Sequence, residues 1–189
     1  MERCRALELD GFALCDHDSI DGLDEAKEAA DGLVFVPGLE VKAQGTHIVC
    51  LNPREVVAPD LTIMETVERI HAQEGTAILA HPCALPRSFV RLGQAQGVGF
   101  DAVEVVNSAQ FPFGLITRWN RDLAEKLGLP QTGGSDAHIP EVIGRGYTIV
   151  DSESRDPRDV IAAIKEGRTE PGGSGISLGE RLSKLGRRR

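Results

Sequence analysis

The segment TAILAHP, residues 76–82, is an apolar run that leads straight into a histidine and a proline. A strand that is apolar throughout is typical of a sheet covered on both faces. Comparable short apolar runs alternate along the chain with amphipathic stretches, which predicts an α/β protein with a mostly parallel sheet or barrel. The predicted strands are residues 12–15, 33–36, 47–51, 76–80, 102–106 and 146–150.

The amphipathic stretches carry the signals of helix starts. Thr62 precedes a stripe formed by Ile63, Val67 and Ile70, and Asp156 is followed by a proline at the first helical position. Both Thr62 and Asp156 are therefore expected to cap a helix. The predicted helices lie near residues 2–9, 23–30, 62–73, 88–95, 116–127 and 157–166.

Nearly every predicted strand ends in side chains that bind metals or move protons. In parallel α/β barrels, the carboxyl ends of the strands deliver their side chains to one mouth. The side chains at these strand ends, and those that end the predicted turn QTGGSDAH (131–138), are therefore expected to lie together. They are Asp16, His17, Asp18, Glu40, His81, Asn107, Asp136 and His138.

Four of the five histidines, His17, His47, His81 and His138, fall at the start or end of a predicted strand. The fifth, His71, lies in the middle of a predicted helix, where the sequence shows no pattern of partner residues, and is expected to be a solvated helix residue. Imidazole combined with carboxylate is a ligand set suited to Zn, Mn or Fe, and several such ligands suggest more than one ion. A pair of ions can neutralise a phosphate group during its transfer.

The two aspartates that flank His17 have two interpretations. Asp16 and Asp18 could orient the His17 imidazole by hydrogen bonding from behind it. They could equally cap a helix that begins near Ser19. The sequence leaves both interpretations open.

Composition and charge exclude some functions. The 189 residues fit one domain, and 41% hydrophobic residues is ordinary for a globular protein. The net charge of −8 argues against a protein that wraps nucleic acid, which normally displays a basic face. A phosphorylated substrate remains compatible with this charge, because bound metal cations would supply local positive charge.

The cysteines and the apolar runs bear on the compartment. The four cysteines are scattered without a CxxC pair, and no apolar run approaches the ~20 residues that cross a bilayer. The charged start, MERCRALELD, lacks the apolar region of a signal peptide. We therefore expect a cytoplasmic protein with reduced, buried thiols and no membrane contact.

Five segments resemble, in order, the metal-binding segments of the polymerase and histidinol phosphatase (PHP) family of phosphoesterases. The resemblance extends over roughly residues 1–150 and implies a distorted (β/α)7 barrel that holds up to three metal ions at the strand ends. Residues 1–170 are then expected to form one PHP-type metallohydrolase domain. The segments are CDHDSIDGLDEA (15–26), PGLEV (37–41), GTHIVCLN (45–52), ILAHP (78–82) and GGSDAH (133–138).

The resemblance also implies roles for a bridged pair of ions. Glu40 would bridge the two ions, and His47 and His81 would complete the coordination of the first. Asp136 would serve the second ion. Among these residues, His81 and Asp136 are also expected to act in catalysis.

The resemblance assigns a third ion to His17 and His138, but the chain departs from the family at its start. The family begins with a His-x-His strand and an acidic Ser-Asp-Gly turn, and this sequence contains neither. We expect the first strand to be missing or incomplete, through a misplaced start, an incomplete sequence or true truncation. A missing strand would leave an open sheet edge, which favours self-association.

The remaining residues, 171–189, change from glycine and serine to basic side chains. A flexible basic tail is the first interpretation, and a docking element for an acidic partner is the second.

The leading functional hypothesis is hydrolysis of a small phosphorylated substrate by metal-activated water. The substrate would be a phosphomonoester or phosphodiester, with nucleotides among the candidates, and nucleic acid is expected only as a short or terminal substrate. Arg87 and Arg145 are expected to bind the phosphate, although each could be an ordinary surface arginine. One alternative is an amidohydrolase-like hydrolase, and another is a degenerate, non-catalytic metal-binding or scaffold domain.

Overall fold

One sheet follows the order of the sequence, with its strands adjacent in space as they are along the chain. The structure is a computed structural model that describes residues 1–84, 88–177 and 179–181. The strands of this sheet are β1 (Gly11–His17), β2 (Val34–Ala43), β3 (Thr46–Leu51), β4 (Thr76–Ala80), β5 (Ala102–Asn107) and β6 (Gln131–Gly134).

The sheet is mixed rather than mostly parallel, and the difference lies in β3. β1 pairs with β2, β4 with β5, and β5 with β6 in parallel, as expected. β3 runs antiparallel to both β2 and β4. The cause is local: β2 turns directly into β3 through Gln44 and Gly45, whose φ of +79° suits a tight hairpin.

The sheet curls into a half-barrel. Six strands spaced ~4.8 Å apart would place the two edges of a flat sheet roughly 24 Å from each other. Yet the ring of His17, at the end of edge strand β1, lies 6.3 Å from the ring of His138, which follows edge strand β6. The ends of the outer strands therefore converge on one mouth.

Each predicted helix is present, but the first and the fourth are shorter than predicted: the first ends at Ala6, and the fourth begins at Leu92. Thr62 and Glu65 form a complete capping box at the start of α3, and Asp156 caps α6 by accepting the Arg158 N–H. The helices are α1 (Glu2–Ala6), α2 (Leu23–Ala29), α3 (Ile63–Ala72), α4 (Leu92–Ala95), α5 (Phe113–Leu127) and α6 (Pro157–Lys165). Among the described residues, no helix has both the length and the apolar character needed to cross a membrane.

Apolar side chains cover both faces of the sheet, as the unbroken apolar strands predict. On one face, Ile48 and Leu79 pack with Ile70 of α3 in the main core, and all three are fully buried. On the other face, Ile161 and Ile164 of α6 pack against the sheet. These two layers hold the strand ends rigidly enough to build a site on them.

Two strands escaped prediction because their sequences lack an apolar run. β6 has the sequence QTGG, which we expected to be a turn, and it becomes a strand by pairing with β5. β8 (Thr169–Gly173) pairs antiparallel with β7 (Gly146–Val150). Residues 171–173 therefore belong to a strand, whereas we expected the tail to begin at residue 171. Residues 178 and 182–189 lie outside the described part of the chain.

Candidate metal centre

The strand register brings the predicted ligands to one end of the sheet. His17 and Glu40 are register partners in the parallel pair β1–β2. His47 is the register partner of Ala80, the residue before His81. Four candidate ligands on four adjacent strands thus meet at the mouth of the half-barrel.

Glu40 stands at the centre of three imidazole rings. Its Oε2 lies 3.4 Å from Nδ1 of His17, and its Oε1 lies 3.2 Å from Nε2 of His81. The same Oε1 lies 3.7 Å from Nδ1 of His47. Ligand atoms of His17, Glu40 and His47 all fall within 4.8 Å of one another, which is compact enough to surround one ion.

The donor atoms fit a divalent transition-metal ion. Within the described part of the chain, Nδ1 of His47 is buried and has no hydrogen-bond partner, although it faces the Glu40 carboxylate. A buried polar atom without a partner costs about 1–3 kcal/mol, so such atoms call for an explanation. A cation held between His47 and Glu40 would satisfy this nitrogen, and imidazole with carboxylate suits Mn, Zn or Fe.

The electrostatics of the site are dominated by Glu40 and His81. Burial opposes charge on both residues, but their mutual hydrogen bond outweighs it. The pKa of Glu40 is lowered, and the pKa of His81 is raised to about 9, helped by the charges of Glu104 and Asp136. Burial lowers the pKa of His47. Without metal, His81 therefore carries a proton at neutral pH, and His47 is held neutral, the form that binds metal.

The backbone is strained at two of the candidate ligands. His81 has a φ of +30° and Asp136 a φ of +47°, values that residues other than glycine rarely adopt. Such strain costs about 1–3 kcal/mol per residue and persists where the surrounding structure enforces it, often at functional sites. In both cases the turn aims a side chain from a strand end toward the mouth.

Asp136 and His138 form a pair beside this cluster. Nδ1 of His138 lies 3.4 Å from Oδ1 of Asp136 and 3.0 Å from its backbone oxygen. The His138 ring lies 6.3 Å from the His17 ring, so the pair continues the cluster across the gap between β6 and β1. Carboxylate and imidazole at this position offer ligands for a second ion or groups for proton transfer.

The aspartates beside His17 hold the backbone around Glu40. The Asp18 N–H donates to the Glu40 carbonyl at 3.1 Å, and Oδ1 of Asp18 accepts the Lys42 N–H at 3.1 Å. Asp16 turns its carboxylate toward Gly22, at the start of α2. Asp18 therefore ties the residue that follows β1 to the backbone of β2 at Glu40 and Lys42.

The two arginines expected to bind phosphate have different outcomes. The guanidinium of Arg145 makes a two-pronged contact with Oε1 of Glu180, at 3.0 and 2.6 Å. Hydrogen bonds from Ser177 and then from Arg145 lower the pKa of Glu180 to about 2. Arg145 is thus paired with a carboxylate from the C-terminal segment. Arg87 lies outside the described residues.

Sequence reasoning missed Glu104, whose carboxylate adjoins the site. Oε2 of Glu104 accepts the His81 backbone N–H at 3.0 Å and the Asn107 side-chain amide at 3.1 Å. Burial raises the pKa of the Glu104 carboxyl to about 7, although the nearby His81 and Asn107 lower it. The available signal was a charged residue in the middle of the apolar run AVEVV, residues 102–106.

His71 lies away from this cluster, as expected, but it has a partner. Its Nε2 lies 2.8 Å from Oδ2 of Asp101, which also accepts the Ala77 N–H at 2.8 Å. Nζ of Lys165 lies 3.2 Å from the other oxygen of Asp101. His71 is exposed on α3, as expected of a solvated helix residue. Its partner was not predicted, because Asp101 lies 30 positions away in sequence and is brought close only by the fold.

Comparisons with known proteins bear on the family. A family model described as PHP-associated matches residues 119–169. Among curated protein sequences, none matches the chain.

Three solved structures share the fold. PsfC from Pseudomonas syringae is 20% identical, with a TM-score of 0.72 over 98% of this chain and 85% of its own. A protein from Bifidobacterium adolescentis, named as a metal-dependent phosphoesterase, is 17% identical, with a TM-score of 0.65 over 95% of this chain and 91% of its own. A two-domain protein from Bacteroides vulgatus, which contains a predicted PHP-like metal-dependent phosphoesterase, is 19% identical. Its TM-score is 0.65 over 88% of this chain and 56% of its own.

At these identities the structural likeness establishes a common fold. The PHP-associated match covers a different stretch of the chain from most of the ligand-bearing segments, so the two findings are complementary. Together, the matched segment and the shared fold confirm the resemblance of this chain to the PHP family.

Proposed function

We propose that this protein is a metal-dependent phosphoesterase that hydrolyses a small phosphorylated substrate, either a phosphomonoester or a phosphodiester. The observation that carries the proposal is the Glu40 carboxylate, which lies within 3.7 Å of nitrogen atoms of three histidines. Three imidazoles around one carboxylate form a ligand set for a divalent ion rather than an ordinary ion-pair network. Nucleotides are among the candidate substrates.

The residues that would hold metal are the six predicted ligands. Glu40 with His47 and His81 would hold one ion, and Glu40 with Asp136 a neighbouring one, while His17 and His138 would serve a third. When bound, Mn, Zn or Fe supplies Lewis-acid chemistry: it polarises phosphoryl oxygens and makes water a better nucleophile at neutral pH.

The chain's own residues would move the protons. As the water oxygen attacks phosphorus and the ester P–O bond breaks, Asp136 would accept the proton of that water. When it holds no third ion, His138, whose Nδ1 lies 3.4 Å from Oδ1 of Asp136, would take that proton from Asp136 and pass it to the leaving oxygen. His81 would keep Glu40 in place through their 3.2 Å contact and would border the bound phosphate.

Charge favours a small substrate or the end of a longer one. With a net charge of −8, the protein repels an extended polyanion except where bound cations reverse the local field. We also propose that the half-barrel is part of a distorted (β/α)7 barrel, which is supported by the convergence of β1 and β6 on one mouth.

The test uses simple probe substrates with matched histidine variants. Protein loaded with Mn is assayed on p-nitrophenyl phosphate, bis(p-nitrophenyl) phosphate and, as an amide, p-nitroacetanilide. We expect metal-dependent release of nitrophenol from a phosphate probe, loss of this activity in His81→Gln and its retention in His71→Gln. His71 is the control because it lies in the Asp101 cluster and away from Glu40.

Two outcomes would contradict the proposal. Cleavage of the amide alone would favour an amidohydrolase-like activity. Tight metal binding with no turnover of any probe would favour a non-catalytic metal-binding or scaffold domain.

A further inference from the structure

A half-buried carboxylate from β5 lies behind the metal centre, on the side of His81. Glu104 carries an ionisable carboxyl in a strand whose other residues from Ala102 to Val106 are fully buried and apolar. A charge in such a place costs free energy unless it has specific partners. Its partners therefore indicate why a glutamate stands there.

One oxygen of Glu104 accepts two hydrogen bonds. Oε2 takes the His81 backbone N–H at 3.0 Å and Nδ2 of Asn107 at 3.1 Å. Asn107 is itself fixed, because its Oδ1 accepts the Ala109 N–H at 3.0 Å and its side chain is buried. The acceptor that faces His81 is thus held in place by a second anchored residue.

The bond to His81 acts where the backbone is strained. His81 has a φ of +30°, and its N–H is the group through which β4 leaves the sheet and enters the turn. Anchoring this N–H opposes relaxation of the turn. In the observed turn, Nε2 of His81 lies 3.2 Å from Oε1 of Glu40. Relaxation of the turn would move the imidazole away from this carboxylate.

The neighbouring strand makes room for the same carboxylate. A Cβ on Gly134 would lie 2.9 Å from Oε1 of Glu104, closer than real side-chain contacts allow. Glycine at this position therefore admits the glutamate between the end of β4 and the end of β6, where Asp136 follows. Glu104 thus adjoins both segments that carry the proposed catalytic residues.

We propose that Glu104 is a positioning residue, which holds the strained His81 turn in the conformation that binds metal. It acts through the hydrogen bonds of Oε2, and neither its charge nor direct ligation is required. The inference rests on the proposed function only in taking His81 to be a metal ligand.

Two variants of Glu104 distinguish the effect of its side-chain length from the effect of its charge. Glu104→Gln keeps an oxygen at the position of Oε2, so it can accept both hydrogen bonds without a charge. Glu104→Asp keeps the charge but is one methylene shorter, so it falls short of the His81 N–H. Asn120→Ala is the control, because Asn120 is an interior residue whose Oδ1 accepts the backbone N–H of Cys83, in the same loop, at 3.0 Å.

The measurement is the dissociation constant for Mn of the full chain, by calorimetry on metal-free protein. Supporting residues around metal ligands typically contribute about 10–100-fold in affinity. We expect a loss of this size in Glu104→Asp, near-normal affinity in Glu104→Gln, and no comparable loss in Asn120→Ala. The visible spectrum of the Co-loaded site should be unchanged in Glu104→Gln and altered in Glu104→Asp.

The outcomes distinguish the inference from the proposed function. If the unaltered protein does not bind Mn, the proposed metal centre is wrong. If it binds Mn and Glu104→Gln loses as much affinity as Glu104→Asp, charge or ligation is responsible and the positioning role is overturned. Equal affinity in all variants, or an equal loss in Asn120→Ala, overturns it as well.

Discussion

A single carboxylate organises the candidate site at the residue scale. Glu40 contacts three imidazoles from β1, β3 and the end of β4. Asp18 donates its N–H to the Glu40 carbonyl and accepts the Lys42 N–H. The arrangement includes unfavourable features: the backbone at His81 is strained, and Nδ1 of His47 is buried without a hydrogen-bond partner among the described residues. Sites that trade stability for function in this way are expected to gain stability when the functional group is removed.

His47 provides the first test of this trade. In His47→Leu, the unpartnered buried nitrogen is gone, so the free energy of unfolding of the metal-free protein should rise by about 1 kcal/mol. The stabilisation that added Mn gives to the unaltered protein should shrink in the same variant. Urea unfolding with and without Mn measures both effects.

His71→Leu is the matched control with the opposite sign. It removes the 2.8 Å bond to Asp101 and should lower the free energy of unfolding without changing the response to Mn. If His47→Leu lowers the free energy of unfolding as His71→Leu does, Nδ1 of His47 does not destabilise the metal-free protein.

The raised pKa of His81 predicts how metal affinity depends on pH. Its pKa of about 9 lies above the ordinary 6.5, so at neutral pH an incoming ion must displace a proton from this imidazole. Affinity for Mn should therefore rise as the pH rises from 6 toward 9, with proton release at pH 7. Calorimetry in buffers of different ionisation enthalpy measures that release, and affinity that is flat or falls across this range would count against His81 as a ligand.

The histidines of the site could be predicted from the sequence, but the residues that hydrogen-bond to histidines could not. His17, His47, His81 and His138 stand out because chemistry-bearing residues terminate or begin apolar runs. Glu104 lies inside such a run, and its position beside the site depends on the space left by Gly134, thirty residues later. The partner of His71 is hidden in the same way, since Asp101 reaches it only through tertiary packing.

At the element scale, strands with strong apolar character were found and strands without it were missed. β4 is buried at every position and was predicted at its observed bounds, whereas β6 and β8 consist of polar residues, glycine and proline. Such segments become strands because a neighbouring strand satisfies their backbone. The antiparallel course of β3 likewise follows from a short hairpin that periodicity alone does not reveal.

Packing of β4 gives the element-scale prediction. Leu79 is fully buried in the main core, two residues before His81. Leu79→Ala should lower the free energy of unfolding by about 2–5 kcal/mol, because it leaves a cavity in the core. Leu115→Ala is the control: Leu115 is 43% exposed, and its truncation should cost far less. Similar losses in chemical denaturation would mean that β4 is not central to the core.

At the scale of the whole molecule, the two edges of the six-stranded sheet differ: among the described residues, β6 is covered and β1 is not. At the end of the sheet opposite the site, Arg155 bonds the side chain and carbonyl of Asp10 and the carbonyl of Gly32. β6 is covered by the two-stranded β7–β8 sheet, through hydrogen bonds between the Thr148 side chain and the Gly133 backbone. Within the described part of the chain, β1 pairs with β2 alone, so it forms an edge of the sheet.

We propose that the β1 edge supports self-association. Ala13 is exposed in this strand, and a lysine there should block pairing with another copy. Sedimentation should show concentration-dependent association of the unaltered protein and less in Ala13→Lys. Ile149→Lys is the control, because Ile149 is 57% exposed on the separate β7–β8 sheet. A protein that stays monomeric at all concentrations would refute this proposal.

The most direct test of the central claim is a calorimetric titration of metal-free protein with Mn. The unaltered chain should bind at least one equivalent, and Glu40→Gln should lose more than the roughly 10–100-fold that a supporting residue contributes. Glu166→Gln, which removes an exposed carboxylate paired with Arg168, should bind as the unaltered protein does. Absence of binding to the unaltered protein, or equal binding by Glu40→Gln, would contradict a metal centre built around Glu40.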